Sequence, residues 1–260
     1  METTEILQAL FRWIHVVAGI MWIGHLYFFN FVNGPFEGTL DGAAKKTVVP
    51  QLRPRALYWF RWGAAWTWVT GVLLVLLVYY HGQQMFPPGT PWTAGALLMV
   101  AITFLAFLVY DPIARSVKDN KQMAGIGFVL LAIVILGYLY IGNYGYRATV
   151  IHTGTLLGTL MAANVWMRIW PAQKTIISAI RDGQATDPAL VGMAGTRSRH
   201  NTYMSVPLVW AMINQHTASF SGGNYGIPGE YSFVALLAVI LIGWHIVWQL
   251  YKRAGKVKGF

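Results

Sequence analysis

Seven histidines carry most of the chemistry this sequence can offer. His15 and His25 lie in one apolar run, FRWIHVVAGIMWIGHLYFF, from Phe11 to Phe29. On a helix rising about 1.5 Å per residue they stand roughly 15 Å apart and point about 80° apart. His152, His200, His216 and His245 lie in or beside other apolar runs, and His81 follows one. An imidazole in hydrocarbon costs free energy unless it finds a partner. Two kinds of partner compete: a hydrogen-bonding group on a neighbouring helix, and a metal, since neutral imidazole ligates haem iron, zinc and copper.

A second concentration of polar groups is RSRHNTYMSVPLVWAMINQHTASF, from Arg197 to Phe220. It puts His200, Asn201, Tyr203, Asn214, Gln215 and His216 on one segment and breaks its hydrogen-bond ladder at Pro207. A broken, polar membrane helix lines a cavity or is wrapped in protein, because lipid cannot satisfy its backbone. These side chains suit a small polar ligand; equally, they suit helix-to-helix glue.

The elements that must position these groups are membrane helices. The 260 residues are 56% hydrophobic and 11% charged, against about 25% charged in soluble domains. No cysteine is present, which excludes disulfides, iron–sulfur clusters and covalent c-type haem on these residues. The reading is an all-α polytopic bundle, a single membrane domain over 1–260 with about seven spans of roughly 20 residues. They fall at about 6–32, 56–80, 92–110, 125–142, 147–170, 201–220 and 231–251. Asp111-Pro112 is expected to end the third and Pro171 the fifth. The segment AQKTIISAIRDG after Pro171 has helical periodicity and suits either the membrane surface or an ordinary helix.

The net charge of +10 points to the inner membrane face rather than to nucleic acid, because Lys and Arg crowd alternate connections and the tail. That bias places the N-terminus outside and the C-terminus in the cytoplasm. The acidic start METTE is not that of a cleavable signal peptide. Tyr79, Tyr80, Trp92, Trp170 and Tyr231 read as interface anchors.

Topology turns sequence position into depth. His15, His152 and His216 form an outer layer, and His25 and His245 an inner one. Such layers suit one or two b-type haems between facing helices, or a non-haem metal at the outer three histidines. Small residues beside them, Gly19 and Gly154 among them, leave room for a flat macrocycle or for close helix packing.

The chain resembles the bacterial membrane-bound, cytochrome-c-linked urate hydroxylases in their N-terminal membrane domain. The resemblance rests on RSRHNTYMSVPLVWAMINQH, on WIHVVAGIMWIG with His15, on WFRWGAAWTWVTG, and on YRATVIHTGTLLGTLMAANVW with His152. It implies a bacterial inner-membrane protein that oxidises urate to 5-hydroxyisourate with water as oxygen source. His200, Asn201, Tyr203 and His216 would then serve substrate, while His15, His152 and His245, beside Gly19 and Gly154, would serve haem iron, with His25 an added candidate ligand. Full-length members carry a C-terminal cytochrome c domain; its absence here leads us to expect a separate periplasmic cytochrome c, or another acceptor. Gly63 stands where the resemblance implies an acidic residue, and His25 where it implies a small polar one. Losing a carboxylate and gaining an imidazole favours the alternative: a non-catalytic b-type cytochrome subunit of a larger respiratory complex, with partner subunits.

Overall fold

In a computed structural model, which describes residues 2–214 and 231–258, the chain is all-α. Helix α1 (Glu2–Tyr27) continues through a π-helical turn, Phe28–Asn33, into α2 (Gly34–Thr39). Helix α3 (Gly42–Leu74) runs into a second π turn, Val75–His81. Then come α4 (Ala94–Leu105), α5 (Phe107–Ser116) and α6 (Asn120–Tyr140). Helix α7 (Tyr146–Asn164) passes through a third π turn, Val165–Ile169, into α8 (Trp170–Arg181). Helices α9 (Pro188–Asn214) and α10 (Ser232–Ala254) complete the order.

Local chemistry sets several starts. Thr93 caps α4, its hydroxyl accepting from the Ala96 N–H at 3.1 Å. Asp119 caps α6, accepting from the Gln122 N–H at 2.7 Å. Prolines bend the course less than expected. Pro171 does not end a helix but sits in the first turn of α8, where its missing N–H costs least. The π turn before it carries the chain over, with the Trp170 N–H bonded to the Val165 carbonyl. Nor does Asp111-Pro112 end its helix. The break lies earlier, at Ala106, where α4 and α5 meet at 47°. Helix α5 then runs on to Ser116, with Asp111 paired to Arg115 at 3.0 Å.

Among the described residues, four helical stretches are long and apolar enough to cross a membrane: Thr3–Thr39, Gly42–His81, Asn120–Tyr140 and Ser232–Ala254. A fifth results if the bent pair α4 and α5 counts as one span. Their outward faces carry Ile20, Leu108, Ile133 and Ile242, each more than half exposed, as a lipid-facing surface requires. The other two expected spans lie in α7 and α9. Helix α7 is threonine-rich and buried along almost its whole length, and α9 carries Arg197, Arg199, His200 and Asn201. Such helices are chosen for protein neighbours rather than lipid, so apolar length is a poor guide to them.

The chain divides into two compact units. The first comprises Met1–Leu73, Met161–Val206 and Gly243–Phe260; the second comprises Leu74–Leu160 and Pro207–Ile242. In the first, Ala172 and Ile176 of α8 bury against Ala194 of α9, with Leu190 and Met193 alongside. The apolar face of the AQKTIISAIRDG segment is thus committed to protein contact. Backbones come closest where α1 meets α3: a Cβ at Gly63 would lie 3.0 Å from the Trp22 nitrogen and 3.2 Å from the Ala18 carbonyl oxygen. In the second, Tyr79, Met85, Ala96, Met99, Tyr138, Tyr144, Ala148 and Ile151 form the buried core.

One buried ion pair ties the first unit together. Glu37 of α2 is 6% exposed. It accepts from Arg53 of α3 through both carboxylate oxygens, and from the Asn33 amide at 2.8 Å. Arg53 also donates to Gln173 of α8 at 3.1 Å. Removing the cation would strand a buried carboxylate. We therefore expect Arg53→Ala to cost about 3 kcal/mol of stability in detergent unfolding, with Glu37→Gln in the same background restoring part of it.

Candidate functional site

The second unit surrounds His152 with phenols. His152 lies on α7, fully buried, and its Nδ1–H donates to the Ala148 carbonyl one turn back at 2.7 Å. That bond fixes the tautomer and leaves the lone pair on Nε2. The Tyr80 hydroxyl donates to Nε2 at 3.0 Å. Four tyrosine rings enclose the imidazole, with centroids 6.2 Å away for Tyr79, 5.7 Å for Tyr80, 5.8 Å for Tyr138 and 4.9 Å for Tyr144. The box is itself tied down. Tyr138 shares a 2.7 Å hydrogen bond with Thr103, and Tyr144 donates to the Ala96 carbonyl at 3.0 Å. Tyr79 is buried and Tyr80 half-buried, so both belong to this box and not to the interface belt. Trp92 and Tyr231, about half exposed, keep positions that suit anchors.

Gly154, two residues on, faces α9. A Cβ there would lie 2.8 Å from Met212 Cε and 3.1 Å from Ala211 Cβ, so its bareness serves packing of α7 on α9. Gly19 in the first unit is less crowded: a Cβ there would meet the Thr67 methyl only at an ordinary 3.8 Å.

The first unit holds the remaining described histidines of interest. The His15 Nδ1–H donates to the Thr67 carbonyl at 2.9 Å, with the Thr70 hydroxyl at 3.3 Å. A Cβ at Gly71 would lie 2.9 Å from the ring, so that glycine makes room for it. The His25 Nδ1–H donates to the Met21 carbonyl at 2.7 Å. His245 is exposed on α10, where the Gln249 amide donates to its Nε2 at 3.1 Å and Trp248 lies alongside.

Of the polar sixth segment, Asn201 is fully committed. Its carbonyl accepts from the Asn164 amide at 2.9 Å, and its own amide donates to the Met161 carbonyl at 3.0 Å. Tyr203 stacks on Tyr251 at 6.1 Å. His200 is half-buried beside them in sequence. His216 and Gln215 lie outside the described residues. A polar web that sequence reasoning missed runs nearby: Asn30 donates to Ser198 at 2.8 Å, Tyr251 donates to Asn30 at 2.8 Å, and Tyr27 meets Ser205 at 3.0 Å. An asparagine inside an apolar run was its only signal.

The donor set can be tested against haem. Histidines that bind metal usually donate the other ring N–H to a carbonyl or carboxylate. His15, His25 and His152 all do so through Nδ1. His15 and His25 fit an axial ligand, with Nε2 carrying the lone pair. At His152 and His245 that nitrogen already accepts, from Tyr80 and Gln249. Among the described residues no three His, Asp or Glu side chains gather as a metal site, and the outer trio needs His216.

A family model described as urate oxidase N-terminal matches residues 35–258. No curated protein and no solved structure matches the chain.

This packing leads to two expected outcomes. Asn201→Ala removes both bonds that hold α9 to α7 and leaves buried partners unsatisfied, at about 2 kcal/mol; detergent unfolding will show this loss whatever the activity. Gly63→Ala pushes a methyl onto the α1 backbone, for about 1–3 kcal/mol by the same measurement.

Proposed function

The chain belongs to the urate oxidase N-terminal family, and from that premise we propose that it is a multi-pass membrane oxidoreductase acting on urate and passing electrons to a separate cytochrome c. In this reading α7 and α9 complete a seven-span bundle in a bacterial inner membrane, N-terminus outside. The reaction takes urate and water to 5-hydroxyisourate and releases two protons and two electrons. A protein catalyst must therefore offer a proton acceptor, hydrogen bonds to a planar polar ring, and an outlet for electrons.

The observation that carries the reading is the Tyr80–His152 pair. In the neutral imidazole Nδ1 donates to Ala148 and Nε2 accepts from Tyr80. A proton released at the half-buried Tyr80 hydroxyl passes along this bond to Nε2 as the phenol takes up the next one. The surrounding rings exclude water and hold the imidazole in one orientation. By the family resemblance, His200 and Tyr203 of α9 would hydrogen-bond substrate, with His216 as their expected companion. Asn201 acts by keeping α9 in place.

The family suggests haem association, and His15 and His25 are the residues whose ring chemistry would let them hold its iron. Haem, when bound, accepts electrons singly and hands them on. The tethers from Thr67 and Met21 orient those rings and raise the basicity of Nε2. The second reading, an electron-transfer subunit without substrate chemistry, draws on Gly63. The close approach of α1 and α3 leaves no room there for the carboxylate that the family resemblance implies.

The test is the purified protein with urate and oxidised cytochrome c. We expect urate loss with two cytochromes reduced per urate, and Tyr80→Phe to slow turnover about 100-fold with the fold intact. A folded, haem-loaded protein that neither consumes urate nor reduces cytochrome c would overturn the urate reading and favour the electron-transfer one.

A further inference from the structure

The first unit carries a feature that neither substrate chemistry nor haem uses. Between α1 and α3 runs an apolar groove of about 650 Å³, with Trp13, Val17 and Met21 on one wall and Tyr58, Trp59 and Trp62 on the other. Its floor is the close contact of Gly63 with Ala18, both of which line it. Both helices lie in stretches able to span a bilayer. The wall residues are strongly exposed, Trp13 at 69% and Trp59 at 52%.

A cation adjoins the groove at Tyr58. Arg61 places its guanidinium 3.9 Å from the Trp170 ring centroid and 5.6 Å from that of Tyr58, a groove residue. Its Nε–H is buried and has no hydrogen-bond partner among the described residues. Arg61 takes part in none of the ion pairs found among those residues. Lys174 lies over the same Trp170 ring at 5.6 Å, so two cations flank it. The frame around them is fixed: Trp166 packs edge-on against Trp62 at 5.5 Å and donates to the Arg61 carbonyl at 3.1 Å.

An acyl-chain-sized apolar groove with a stacked guanidinium beside one of its wall residues suits a phospholipid. Guanidinium forks match phosphate oxygens, and basic pockets between membrane helices recognise anionic headgroups. The Trp and Tyr rings of its walls are of the kind that membrane interfaces favour. We propose that this groove binds one anionic phospholipid, with its phosphate on Arg61 and an acyl chain between α1 and α3. Two cations and no described carboxylate partner favour a headgroup with net negative charge over a zwitterionic one that brings its own cation.

Native mass spectrometry of the full chain, released from nanodiscs of equal phosphatidylglycerol and phosphatidylcholine, tests this. Wild type should retain one phosphatidylglycerol in preference to phosphatidylcholine. Arg61→Gln should weaken that retention about tenfold, the loss of one charge-assisted contact. Val17→Trp, which fills the exposed groove and leaves the guanidinium untouched, should weaken it as well, so the conclusion does not hang on one variant folding. Tryptophan quenching by phosphatidylglycerol brominated on its chains should fall in both variants. Equal retention of the two lipids would overturn the proposal and leave ordinary bilayer contact. So would unchanged retention in both variants, displacement of the lipid by inorganic phosphate alone, or a lipid-free dimer.

Discussion

A polar group inside hydrocarbon has no water to turn to, and this constraint governs the molecule more than any single contact. The threonines answer it locally. Thr67 donates to Gly63, Thr70 to Trp66, Thr153 to Thr149 and Thr155 to Ile151, each one turn back along its own helix. Two histidines do the same, His25 to Met21 and His152 to Ala148. His15 reaches across to α3 and Asn201 across to α7. Helix α7 can therefore carry four threonines, an asparagine and a histidine on buried positions, because it is wrapped in protein and pairs most of its polar groups, the Thr149 hydroxyl being an exception among the described residues.

The same constraint explains where the small residues went. With lipid as apolar as leucine, helices hold together by close packing rather than by exclusion from solvent. Gly63 lets the α1 and α3 backbones nearly touch, Gly154 receives Met212, and Gly71 receives the His15 ring. Residues that do leave open volume lie on the outer side of the α1–α3 contact, where bulky tryptophans stand up on either side of a bare floor.

Much of the fold was legible because apolar length and caps are local properties. The runs around α1, α3, α6 and α10 correspond to long apolar helices, and Asp119 caps α6 where a helix start reads naturally. Prolines misled. Pro171 and Pro112 look like stops, yet one opens a new α segment behind a π turn and the other rides within α5. A π turn has no sequence signature of its own, so its ability to carry a helix past a proline is invisible beforehand. Tyr79 and Tyr80 misled for a related reason. A tyrosine near the end of an apolar run suits the interface, and only tertiary structure shows Tyr80 turned inward to an imidazole 72 residues away. His152 itself was legible, as a histidine within an apolar run; the company it keeps was not.

Hydrogen bonding to backbone is the rival of function as a reason for a membrane histidine, but the two are not exclusive. A carbonyl that accepts from Nδ1 removes one proton position from play and fixes the ring, and the lone pair then stands on Nε2. The chemistry of the ring is then set by its next neighbour alone. At His152 that neighbour is a phenol, which makes a proton-sharing pair in a box of low polarity, where such a bond is strengthened and a stray charge is costly. At His15 and His25 the same tether presents a basic nitrogen to whatever occupies the adjoining space. The structural role thus comes first and prepares the chemical one: a tautomer left to fluctuate would serve neither proton transfer nor ligation, and the simplest way to fix it in lipid is a carbonyl already in place.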